Sequence, residues 1–196
     1  MNNAIVYDFE TLGVKPQTAP VVSIALLNFD TTRFLSNPYT YRDLLDAVKV
    51  MKFNVEDQVI NYGKKIEKDT LDWWSNQSVQ AQKQLAPSKL DVGIDACIPW
   101  FAANISENET HKVYTRNNTF DPMFLEALCK DTGHPLPYSH WNIRDTKSTI
   151  DGMTWGHNIK DNFIPEGLEE HFVAHDPAHD VAMDVMRLQY LADMIQ

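Results

Sequence analysis

Asp8 and Glu10 stand two residues apart in Ala4-Ile5-Val6-Tyr7-Asp8-Phe9-Glu10, a β-branched and aromatic run that reads as a buried strand ending in a polar tip. Residues two apart on a strand leave the same face, about 7 Å apart at Cα, so these carboxylates can serve one site. Charges at the tip of a central strand are costly unless a cation neutralises them. Asp121 starts a helix after a short strand, and Asp180 opens a last helix. His175 precedes Asp180 by five positions across Pro177, in a loop. Each acid alone has a plain structural reading, as a solvated strand end or as a helix-start acid favoured by the macrodipole. Jointly they are hard oxygen donors of the kind that hold Mg²⁺ or Mn²⁺, not the nitrogen and sulfur set of zinc. Two cations about 4 Å apart would activate a water and stabilise the leaving oxygen of a phosphodiester. An imidazole with a reference pKa of about 6.5 could take that water's proton.

The elements that must position these residues follow from pattern. Residues 20–29 (PVVSIALLNF) form a second apolar run of strand length, and 33–40 (RFLSNPYT) are expected to return antiparallel beside it, so residues 1–40 read as a β-meander. From Tyr41 to Asn104 the periodicity is mostly helical, with short elements at 55–66, 70–76 and 91–104 broken by Pro87. Val113-Tyr114 is a strand candidate, and the helix opening at Phe120 tolerates Pro122 in its first turn, with Asn118 or Thr119 as its cap. Residues 134–177 carry only scraps of order, at Trp141-Asn142-Ile143 and near Thr146. From Ala178 to Ile195 the positions Val181, Val185, Leu188 and Ala192 recur at helical spacing, which predicts a closing amphipathic helix. The whole predicts one α/β domain over residues 1–196 with a mixed sheet.

The spaced pattern Asp8-x-Glu10, Asp121 and His175-x4-Asp180 resembles the DEDDh branch of the DnaQ-like 3′–5′ exonucleases, and YDFETLG, NNTFDPMFLEAL and HDPAHDVAMDV are similar to its three exonuclease motifs. Within that group, TLDWWSNQS and NIRDTKS most resemble the phage DexA-type exonucleases and the related small bacterial exoribonucleases. The resemblance spans essentially the whole chain. It implies a ribonuclease H-like fold, a central mixed sheet flanked by helices. It implies that Asp8, Glu10, Asp121 and Asp180 hold two Mg²⁺ ions, with Mn²⁺ as a substitute and Asp8 bridging, and that His175 is the general base. Thr11 and Leu12 resemble residues that contact the terminal nucleotide, Leu12 wedging against its base, and Phe120 is a further contact. Phe9 points away from the acids on a regular strand and belongs to the core. Trp73 and Trp74 cannot both face one way on a helix, so one packs inward and the other offers a stacking surface, with Trp74 assigned to the substrate. Arg144 and Lys147 are candidate phosphate ligands or solvated surface charges.

The expected substrate is single-stranded DNA, shortened from its 3′ end to nucleoside 5′-monophosphates. The alternatives are RNA or short oligoribonucleotides on the same fold, and a catalytically silent nucleic-acid-binding module. A ribonuclease H-type endonuclease shares fold and ions but not this acid arrangement. His171, His175 and His179 would stack as a zinc site on an unbroken helix, which Pro177 interrupts.

Composition narrows the setting. With 43% hydrophobic, 22% charged and 11% aromatic residues the chain should fold, and it has no apolar run long enough for a membrane span and no basic, apolar secretory leader. Cys97 and Cys129 lie in apolar stretches and are expected to be buried reduced thiols, which suits the cytoplasm, or the host cytoplasm for a phage-encoded chain. The net charge of −10 argues against a long phosphate-gripping surface, and residues 161–196 hold eight Asp and Glu against Arg187 alone. Carboxylates concentrated there suit metal binding, with weak, distributive contact to the polymer.

Overall fold

The computed structural model describes residues 3–105 and 112–194. Five strands, β1 (Ala4–Thr11), β2 (Val21–Phe29), β3 (Lys49–Lys52), β4 (Lys112–Thr115) and β5 (Ile143–Asp145), form one sheet in the order β3-β2-β1-β4-β5. β2 and β3 are antiparallel to their neighbours, whereas β4 and β5 run parallel to β1. The helices are α1 (Arg33–Ser36), α2 (Tyr41–Ala47), α3 (Val55–Asn61), α4 (Lys68–Trp74), α5 (Val79–Lys83), α6 (Cys97–Asn104), α7 (Asp121–Thr132), α8 (Thr146–Met153) and α9 (Pro177–Met194). This is the expected α/β architecture with a mixed sheet.

Alternation along β1 sorts its side chains between two cores. Ile5, Tyr7 and Phe9 enter a cluster with Phe101 of α6 and Phe124, Leu125 and Leu128 of α7. Ala4 and Val6 face the other way, into a cluster with Val181, Val185 and Leu188 of α9. Asp8 and Glu10 continue that second face, so the periodicity that buries Val6 also aims both acids toward the side covered by α9. The pairing of β1 with β2 shifts register between Glu10 and Thr11, which bends the strand as it leaves the sheet.

The third strand is not where the sequence places it. Residues 33–40 do not return beside β2: Arg33–Ser36 are helical, and β3 at Lys49–Lys52 is the antiparallel partner. Local side-chain bonds decide this. Asp30 Oδ1 accepts from the Thr32 amide at 2.9 Å and from its hydroxyl at 2.7 Å, turning the chain straight after β2. Thr40 and Asp43 then close a reciprocal capping box that opens α2.

Neither Asn118 nor Thr119 caps α7. The cap position is Phe120, which makes no side-chain cap bond, while Asn118 accepts from Thr115 Oγ1 at 3.0 Å and Thr119 bonds the Asn117 side chain. The last helix starts at Pro177, one residue before the predicted Ala178, and Ile195 lies outside the described residues. Among the described residues no helix is long and apolar enough to cross a membrane. Cys97 and Cys129 are buried and free, as expected.

Candidate active site

Three segments far apart in sequence bring the predicted acids together at the carboxyl ends of the parallel strands, where open α/β sheets present ligand sites. Asp8 and Glu10 come from the end of β1, Asp121 from the first turn of α7 after β4, and Asp180 from the first turn of α9. The β1 backbone helps assemble them: the Phe9 amide donates to Asp121 Oδ1 at 3.0 Å. The His175 amide donates to Asp180 Oδ2 at 2.9 Å. Ligand atoms of Glu10, His175 and Asp180 all lie within 4.8 Å of one another, close enough to share one cation.

Among the described residues no Lys or Arg ion pair reaches any of the four acids. Their proton affinities show the consequence. Burial raises Asp8 well above the ordinary carboxylate range, and Asp121, Glu10 and Asp180 add repulsion. Glu10 is raised by burial and then by Asp180 and Asp121. Burial pushes Asp121 up to about 7 against the bond from Phe9. Asp180 also rises to about 7, through burial and Asp184, opposed by the His175 amide and Arg187. His175 moves the other way, because burial disfavours the imidazolium.

Desolvated carboxylates that repel one another and lack a cationic partner are a donor set suited to a hard divalent cation. In a chelator, moreover, the folded state keeps protons on Asp121 and Asp180 up to about pH 7, whereas unfolded aspartates lose them near 3.8. The raised folded values mean that this stabilisation is present below the unfolded pKa and is lost as pH climbs through about 7. Melting followed in EDTA should therefore show a lower Tm near neutral pH than near pH 5, and Asp121→Asn should flatten that slope. An unchanged slope would mean that Asp121 is ionised in the folded chain at both pH values.

Asp8, Glu10 and Asp180 open onto a cleft of about 510 Å³ lined by Thr11, Gly13, Glu67, Thr70, Trp73, Phe120 and His175, among others, while Asp121 is buried beside them. Thr11 and Phe120 both lie on the cleft wall. Phe9 is core, as expected. Leu12 differs: it is buried with Val22, Trp74 and Ala81 and does not line the cleft. Its side chain follows the bulge at Thr11 out of the strand's alternation and packs under α4.

Both tryptophans line the cleft, on different terms. Trp74 is 2% exposed and donates from Nε1 to the Thr11 carbonyl at 3.0 Å, so it braces the strand end. Trp73, 44% exposed, is the more open of the two rings, with its centroid 4.7 Å from that of His175. A seven-residue helix carries too little pattern to say which of two adjacent rings turns inward.

Arg144 bonds the carbonyls of Trp141 and Ile143, and Lys147 lies 3.6 Å from Asp161, so neither lines the cleft. The three histidines do not form a zinc site. His171 is exposed, His179 shares a 2.8 Å hydrogen bond with the Tyr41 hydroxyl, and Pro177 begins α9 between His175 and His179. Sequence reading missed Asp184, one turn beyond Asp180, whose Oδ1 accepts from both Arg116 and Arg187 at 2.7 Å. Its spacing of four residues from Asp180 signals a shared helix face, but its neutralising partner Arg116 comes from the distant end of β4.

The fold has clear counterparts among solved structures. It matches the zinc-bound form of the E. coli ExoI–ssDNA complex at TM-score 0.59, with 17% identity over 97% of this chain and 39% of that one. It matches the moderately thermophilic exonuclease I of Methylocaldum szegediense at TM-score 0.65, with 13% identity over 98% of this chain and 40% of that one. The chain thus spans about two fifths of those enzymes, and the fold is ribonuclease H-like. Residues 3–186 match the 3′-5′ exoribonuclease Rv2179c-like domain, and the chain belongs to that family, as a DnaQ-like 3′–5′ exonuclease. The exodeoxyribonuclease of Enterobacteria phage T4 is 28% identical over 202 residues, covering 94% of this chain and 87% of that protein.

Proposed function

We propose that the chain works as a single DEDDh-type exonuclease domain, removing nucleotides from the 3′ end of single-stranded DNA as nucleoside 5′-monophosphates. The observation that carries this reading is the convergence of Asp8, Glu10, Asp180 and His175 on one cleft with an exposed aromatic wall, with Asp121 buried beside them and held by the Phe9 amide. The four carboxylates would hold divalent cations, Mg²⁺ with Mn²⁺ as substitute, which supply a more acidic water and neutralise the charge that develops at phosphorus. His175 takes the proton of the attacking water on a ring nitrogen. The water oxygen bonds to phosphorus as the phosphorus bond to the preceding 3′ oxygen breaks, and that oxygen leaves, taking a proton from solvent water to become the new 3′-hydroxyl. Burial keeps the imidazole neutral and able to accept. Trp73, Phe120 and Thr11 line the space for the terminal nucleoside, and Trp73 offers a face on which any base can stack.

The name of the phage T4 relative supports DNA, whereas the family's description supports RNA as the second reading. One assay separates them: matched 3′- and 5′-labelled DNA and RNA oligonucleotides, with Mg²⁺ or Mn²⁺ and with EDTA. The expected result is metal-dependent shortening from the 3′ end, faster on DNA, and arrest by a blocked 3′ terminus. Faster loss of RNA would establish the second reading. Internal cleavage of blocked strands would overturn the exonuclease, and no cleavage of either polymer would leave a binding module.

A further inference from the structure

His175 has φ of 63°, and among the described residues it is the one non-glycine with a positive φ. A residue with a Cβ keeps that conformation where its surroundings impose it, and such outliers gather at functional sites. Two sets of contacts impose it here. On one side the His175 amide is tied to Asp180 Oδ2. On the other, both oxygens of the next residue, Asp176, are engaged. Oδ1 accepts from the Ala178 amide at 3.1 Å, and Oδ2 accepts from Gln84 Nε2 at 2.7 Å.

Gln84 follows α5 directly, in the arm built from α4 and α5 that supplies Trp73. The arm therefore meets the His175 loop twice, edge-on between the Trp73 and His175 rings and through the Gln84 amide on Asp176. The Trp73–His175 contact is on the cleft wall, whereas the Gln84–Asp176 bond joins the same two segments away from the cleft lining, across 92 residues of chain. We propose that Gln84 is a positioning residue: its bond to Asp176 clasps the loop against the arm and keeps the His175 imidazole beside Glu10 and Asp180. The inference rests on the reading of His175 as the general base. Gln84 touches neither the substrate space nor the acids, and it acts only through the loop.

The test uses the full chain with Gln84→Ala, Gln84→Glu and Gln84→Lys, reading kcat and KM for nucleotide release from a 3′-labelled single-stranded oligonucleotide. Gln84→Ala should lower kcat about tenfold, the scale of a slightly misplaced catalytic group, with KM changed less than about twofold. Gln84→Glu sets a like charge against Asp176 and should lower kcat further, while Gln84→Lys, able to pair with Asp176, should recover most of the loss. In a His175→Ala background Gln84→Ala should have no additional effect, because residues acting as a unit are not additive. Hydrogen exchange of the amides over 171–176 should quicken in Gln84→Glu with β1 and α9 unchanged. An unaltered kcat in Gln84→Glu, or the same fold-loss in the His175→Ala background, would overturn the clasp. Wild-type activity in His175→Ala alone would instead overturn the base reading, and the exchange measurement would still decide whether Gln84 holds the loop.

Discussion

Asp8→Asn should cut nucleotide release at saturating Mg²⁺ by at least about 10³-fold, the several kcal/mol of charge stabilisation that a correctly held cation supplies. The substitution keeps the shape of the side chain and removes only its charge. Asp8 lies at the centre of the repulsion, with its proton affinity raised by burial and by Asp121, Glu10, Asp180 and Asp184. Deleting its charge should therefore leave the metal-free fold as stable as the wild type or more so, with Tm in EDTA unchanged or higher. That pairing of outcomes separates a ligand from a structural residue, since a structural aspartate would lose stability along with activity. An Asp8→Asn enzyme of near wild-type rate would overturn the assignment of this carboxylate as a metal ligand.

His175→Ala should lower kcat by about 10² to 10⁴-fold, the range for loss of a positioned general base, with little change in KM. Burial lowers the imidazole pKa, so in the wild type the active neutral form persists as pH falls below about 6.5. Read at saturating Mn²⁺, where the carboxylates have given up their protons to the cation, the acid limb of the kcat profile is accordingly expected below that value, and in His175→Ala it should vanish. The ring also lies within ligand distance of Glu10 and Asp180, which makes the metal dependence informative. A base leaves the Mn²⁺ concentration for half-maximal rate where it was, whereas a ligand raises it. Recovery of wild-type kcat in His175→Ala at high Mn²⁺ would make His175 a ligand and not a base.

Several parts of this site were legible because they depend on local periodicity. The same alternation that identifies β1 as a strand puts Asp8 and Glu10 on one face and Phe9 on the other, and both assignments hold in three dimensions. Pro177 forbids a continuous helix through His171, His175 and His179, and the chain turns there. Other parts depend on which distant surface arrives. Residues 33–40 contain a strand-like apolar pair, Phe34-Leu35, yet side-chain bonds around Asp30 and the capping box at Thr40 make the segment helical. The inward tryptophan is chosen by the Thr11 carbonyl, 63 residues earlier in the chain, which Trp74 reaches and Trp73 does not. Leu12 is taken into the same small core because the bulge at the end of β1 ends the alternation.

By itself the sequence determined the acids, their grouping by face, the histidine beside them and the class of chemistry those residue types perform, because donor type and short-range spacing are properties of the chain. Only the tertiary structure decided how the acids are charged and what surrounds them. Burial raises their proton affinities. Asp184 is neutralised by Arg187 and by Arg116, which follows β4, and Trp73 is the more exposed of the two tryptophans that line the cleft. A pKa, a buried ion pair or a stacking face is set by dielectric and by groups brought close through folding, and neither can be read from positions along a chain.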